Sequence, residues 1–168
     1  ISDTAAGDPY VVDAVRLPPA NAIMMLAAHV SRHRIFTEWL DPSITDETEP
    51  EQRDRDLNLY DPANPNQPPY SADFLNAFAE AQIARNRRIT AGGRDKLEAI
   101  RASDSPWSEF AFTVHGTMAD PRWLDPSVEP RDRKPGVCYL GDPKIVNDGP
   151  VGLARFCTLR SWLSQWSL

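Results

Sequence analysis

The chain has 168 residues, 41% of them hydrophobic and 25% charged, with a formal net charge of -6 at pH 7. That length suits one domain, or part of one, with a genuine core, and the ordinary balance of apolar and charged residues excludes wholesale disorder. The acidic balance excludes a nucleic-acid surface, which needs clustered Lys and Arg to neutralise phosphates, and no apolar run approaches the roughly 18 residues of a membrane span, so neither is expected as a partner.

Residues 1–10 carry small, turn-forming side chains, and "DAVRLPPA" ends in a Pro18-Pro19 step that forbids helix continuation. The apolar run "NAIMMLAAH", residues 21–29, then predicts a strand buried on both faces, with a buried helical turn as the alternative because Met, Leu and Ala are poor strand formers. In "SRHRIFTEWLDPSI" the spacing of Ile35, Phe36, Trp39 and Leu40 predicts a short helix, with Ser31 as N-cap and Asp41-Pro42 as the stop.

Sixteen prolines are concentrated in residues 41–70 and 118–150, predicting two long irregular stretches, with loop over roughly half the chain. A stretch such as 44–70 is often a functional loop or lid. Ser71 opens the clearest element, a helix with Asp73 in its first turn and Phe74, Phe78, Ala81, Ile83 and Ile89 near helical spacing. Gly92-Gly93 predicts a break or kink, with "RDKLEAIRAS" as a second piece. The basic run Arg85, Arg87 and Arg88 within this helix is expected on a solvated face. "EFAFTVHG" predicts a strand ending at Gly116. In "VGLARFCTLRSWLSQWSL", Leu153, Phe156, Leu159, Leu163 and Trp166 predict an amphipathic helix docked on a core. No repeat of fixed period occurs.

The densest candidate for chemistry is "HGTMADPRWLDP", residues 115–126. Its two Asp-Pro steps belong to a set scattered along the chain at Asp8, Asp41, Asp61, Asp120, Asp125 and Asp142. Asp accepts bonds from nearby backbone N–H groups while proline presets φ, so these aspartates are read as turn devices before catalysts. His115, beside Gly116 at a strand end, sits where an α/β scaffold places functional side chains, although a lone histidine is more often structural. His29 has the same standing. His29 and His33 are four apart, yet no third ligand follows, so no metal site is expected. No Gly-x-Ser-x-Gly elbow, phosphate loop or dinucleotide turn occurs, and no cofactor is expected. Cys138 and Cys157 suggest neither a disulfide framework nor zinc, which fits a reducing, cytoplasmic location. A start at Ile1 and an end inside "RSWLSQWSL" lead us to expect a larger domain on both sides.

Taken together, "LPPANAIMMLAAHVSR", "LYDPANPNQPPYS" and "GPVGLARFCTLRSWLSQWS" resemble, in order and texture, the middle of an α/β-hydrolase-superfamily protein. The resemblance implies an α/β fold, mostly helical in this span, with one or two strands and a large loop-rich helical cap. Residues 1–30 would belong to the core with its central strand, 31–149 to the cap, and 150–168 to a helix returning to the core. The family's Ser, acid and His would all lie outside the span, so no catalytic residue can be carried over. What the span would supply is the pocket for an ester, amide or similar carbonyl substrate. His29, Ser31 and Arg32 would stand at the strand's carboxyl end, and Trp39, His115, Trp123 and Tyr139 would be cap walls or, alternatively, filling between cap and sheet. A small-molecule substrate is the expected partner, beside a second copy of the chain or the remainder of its domain. The competing reading is a non-enzymatic helical binding module whose Pro-rich loops and Trp-rich final helix contact a protein.

Overall fold

The computed structural model describes residues 3, 7, 9, 16, 18–25, 31–125, 127–128 and 155–167. Among these residues helix predominates, accompanied by two short strands. Helix α1, Arg32–Thr37, starts where expected, because the Ser31 hydroxyl accepts a bond from the Arg34 N–H and removes one orphan donor. Ser71 caps α2, Ala72–Ala102, in the same way through the Phe74 N–H.

The α2 helix runs for 31 residues without the expected break at Gly92-Gly93. The intrinsic cost of two glycines, about 1 kcal/mol each, is outweighed by packing. Gly93 faces Leu159, Trp162 and Leu163 of the last helix, α3, Leu159–Gln165, at a spacing where even a Cβ would make ordinary contact, so packing along this face and not the glycine itself holds the helix straight through. The principal core forms here, with Phe36, Leu40, Ile89, Leu97, Val114, Leu159, Trp162 and Leu163 buried together. Burying side chains of this size contributes about 1.5–3 kcal/mol each.

Strand β1, Ala111–Val114, occupies the expected position. Its partner is unexpected: Arg155–Thr158, read as the front of an amphipathic helix, forms β2 and pairs antiparallel with β1 in the register Ala111↔Thr158 to Val114↔Arg155. The helix begins only after Thr158, whose hydroxyl caps it. A segment of four residues is too short to show either period, and here the ladder to β1 decides. Leu153 lies outside the described residues.

The buried strand expected at 21–29 is not formed in its described part. Residues 21–25 are irregular, and Ile23, Met24 and Met25 are 83%, 81% and 74% exposed. Met24 and Met25 are weak strand formers, and among the described residues no neighbour completes a ladder with this run. Residues 26–30 lie outside the described residues.

The proline-rich stretch 41–70 is ordered by side chains in place of a ladder. Asp41, Asp46, Asp54, Asn58, Asp61 and Asn64 each accept a bond from the backbone N–H two residues on, at 2.7–3.0 Å. Asp120 and Asp125 do the same for Arg122 and Ser127. Every Asp-Pro step of the interior described segments therefore builds a turn, as the sequence reading expected. This network delivers loop 41–70 to α2, where Leu59, Tyr70, Phe74, Phe78 and Ala119 form a second cluster.

Candidate functional site

The residues expected to line a pocket are dispersed. Trp39 and Trp123 pack with ring centroids 5.5 Å apart and planes tilted by 56°, in one cluster with Met118, all three buried, so the two tryptophans fill an interior cluster. Ser31 is occupied as the cap of α1, its hydroxyl also lying 3.0 Å from His33 Nδ1. Arg32 donates to Gln165 Oε1 at 3.1 Å and ties α1 to α3. His115 follows β1 with its carbonyl held by Arg85. Its ring is held below the ordinary imidazole pKa, first by burial and then by the charge of Arg85. His29 and Tyr139 lie outside the described residues.

Arg85 overturns the expectation of a solvated basic face. It is completely buried, and all five N–H donors are used. Nε and Nη2 grip Glu47 in a fork at 2.9 and 2.8 Å, Nη1 donates to the carbonyls of Asp41 and Gly116, and Nη2 also donates to that of His115. The run "RNRR" mixes faces: Arg87 is exposed, whereas Arg88 reaches the Ile44 carbonyl and Glu47 from the helix edge. Gly116 is required opposite Arg85. Its φ is +55°, and a Cβ there would stand 2.7 Å from Ile44 Cδ1 and 2.9 Å from Asp41 Cβ.

A site lies between α1 and α2, a groove of about 260 Å³ lined by His33, Arg34, Thr37, Glu38, Ala79, Gln82 and Ile83. Ala79 and Ile83 supply apolar surface. Arg34 and Glu38, paired at 2.9 Å, form the rim, and Arg122 approaches Glu38 from outside at 3.0 Å. Gln82 is only 5% exposed. Its Nε2 donates to the carbonyls of Glu38, Leu40 and Ala119 at 2.7, 3.0 and 3.1 Å, which fixes the side chain between α1 and the segment after β1. The signal for this site was present in the sequence. Phe74, Phe78, Gln82, Asn86 and Thr90 fall four residues apart on one face of α2, and a polar residue continuing an apolar row marks a side chain buried for a partner.

A wider hollow of about 620 Å³ lies at the other end of α2, lined by Lys96, Ile100, Trp107, Glu109 and Phe110 among others. Trp107 is largely exposed, and Lys96 Nζ sits 4.6 Å above the Phe110 ring. Among the described residues no group of three or more His, Cys, Asp or Glu could hold a metal, and no helix is long and apolar enough to cross a membrane.

No protein-family model matches the sequence, and no curated protein or solved structure matches it. The functional reading therefore rests on the groove itself.

Proposed function

We propose that this span is the pocket-and-cap part of a serine-type hydrolase acting on an ester, amide or similar carbonyl compound, binding the substrate and leaving the nucleophile to residues elsewhere. The observation that carries this reading is the α1/α2 groove: apolar surface from Ala79 and Ile83, a charged rim and one buried polar side chain, Gln82, fixed at its wall. Concave, mostly apolar surface with a few placed polar groups is the usual make-up of a small-molecule site. The exposed run Ile23-Met24-Met25 adds support, since three neighbouring bare apolar side chains fit a covering surface such as the rest of a hydrolase sheet.

The test is to titrate short acyl amides and esters while recording backbone amide NMR shifts. Saturable shifts at Thr37, Glu38, Ala79 and Ile83 are expected. Their absence under millimolar ligand removes the substrate-site reading. A second reading, a protein-interaction module, is favoured by the hollow around the exposed Trp107 and Phe110. Shifts confined to that hollow would transfer the function there.

A further inference from the structure

Gln82 carries more information than its three bonds. A side-chain amide has two N–H donors and an oxygen with acceptor capacity. The carbonyls of Glu38, Leu40 and Ala119 converge on Nε2, and the reversed amide would set its oxygen against three carbonyl oxygens, so the orientation is fixed by electrostatics. Oε1 is then left over. It accepts no bond from the described residues, yet it is not sealed inside, since among the described residues the buried polar atom without a partner is the Tyr70 hydroxyl. Gln82 is 95% buried and lines the α1/α2 groove, and to that groove we assign its unused oxygen.

We infer that the groove selects ligands presenting an N–H donor, neutral amides in preference to the matching esters, with Gln82 Oε1 as the acceptor that reads the difference. This rests on the reading of the groove as the substrate site. An amide N–H completes the Gln82 oxygen, whereas an ester places an oxygen against it and leaves both acceptors unmet. The rim favours a neutral donor over an ammonium, because the Glu38 carboxylate already faces Arg34 at 2.9 Å and Arg122 at 3.0 Å and has little charge left to attract a cation. Arg34 uses only Nε in its pair with Glu38 and keeps donors at the rim for the ligand carbonyl. Ala79 and Ile83 receive a short apolar chain. A volume of about 260 Å³ suits a molecule of amino-acid size more than a long acyl chain.

The experiment compares N-methylbutanamide with methyl butanoate, which differ by N–H against O, on the unaltered protein by amide shift titration at Thr37, Ala79 and Ile83. The amide is expected to bind about tenfold more tightly, the value of one net hydrogen bond. Equal affinities at the groove overturn the selectivity and leave the groove as a substrate site. Absence of binding by both overturns the substrate-site reading and the inference with it. Tighter binding of butylammonium than of the amide overturns the choice of a neutral donor. The Gln82→Met variant, where circular dichroism shows it folded, is expected to bring the amide-to-ester ratio close to one, and an unchanged ratio places the discrimination on another residue.

Discussion

Arg85→Met removes a completely buried side chain that makes five hydrogen bonds while keeping its apolar stem volume. Breaking a buried, hydrogen-bonded charge pair from one side costs about 3–5 kcal/mol. The lower end applies here, because Glu47 and the Gly116 and Asp41 carbonyls retain other partners, leaving the half-buried His115 carbonyl to lose its bond. Glu47 remains about a quarter exposed and keeps Arg88 at 3.2 Å, and the Gly116 carbonyl still accepts from the Asp41 N–H at 2.8 Å. A loss of about 3 kcal/mol is a large share of the roughly 5–15 kcal/mol by which a domain is stable. With a urea slope of about 2 kcal/mol/M, the unfolding midpoint falls by about 1.5 M. Arg85→Lys should fall between, since an ammonium has three donors and cannot grip Glu47 as a fork. Arg87→Met, on the exposed side of the same helix, should stay within about 0.5 kcal/mol. Equal, small effects of Arg85→Met and Arg87→Met would refute the five-bond account and return Arg85 to the solvated face.

The two glycine positions of opposite character give a paired test by thermal unfolding. Gly92→Ala, with open space where the Cβ goes, should stabilise by about 1 kcal/mol, whereas Gly116→Ala combines left-handed strain with overlap on Ile44 and Asp41 and should cost at least about 2 kcal/mol. Tyr70→Phe deletes a buried hydroxyl that has no partner and should be neutral or stabilising by up to about 1 kcal/mol, and a loss above that would reveal a bond to the hydroxyl. Burial and the nearby Asp125 push the Tyr70 phenol to about 12 from 10.0. The unfolded chain therefore releases this proton first, and stability should fall as pH rises from 10 towards 12, less steeply in Tyr70→Phe. The His115 ring is depressed from 6.5, so below that pH the unfolded state binds more protons and stability should fall on acidification until the folded ring also titrates. An NMR titration midpoint for His115 at or above 6.5 would contradict its burial.

What was legible in the sequence was local. Ser31 and Ser71 announce helix starts because the cap is a contact across three residues, and the Asp-Pro steps announce turns because the carboxylate bonds two residues on. What was hidden depends on distant residues. Gly92-Gly93 reads as a break until Leu159, Trp162 and Leu163 arrive against Gly93. "RFCT" reads as helix until β1 offers it a ladder. Arg85 cannot be told from Arg87 by composition, although the row of Phe74, Phe78, Gln82, Asn86 and Thr90 already shows which face of α2 turns inward. Trp39 and Trp123, expected as cap walls or as filling, are buried together, and the groove residues Thr37, Glu38 and Gln82 are each unremarkable in isolation.

The polar face of α2 follows from the proline and Asx content of the loops. A loop without a ladder must find partners for both kinds of backbone group. Proline removes some N–H donors outright, and the Asx turns satisfy others with side-chain oxygens, which leaves a surplus of carbonyls. The α2 helix answers with a row of donors: Gln82 to Glu38, Leu40 and Ala119, Arg85 to Asp41, His115 and Gly116, Asn86 to Trp166, and Arg88 to Ile44. A fully apolar stripe would remove these bonds, at about 1–3 kcal/mol for each buried carbonyl that keeps no other partner. Donors, however, come attached to acceptors. Arginine has none and Asn86 Oδ1 receives the Thr90 hydroxyl, but Gln82 brings an oxygen that the loops cannot use. The chemistry that orders the loops thus leaves one hydrogen-bond acceptor at the wall of the α1/α2 groove, which is where a ligand can meet it.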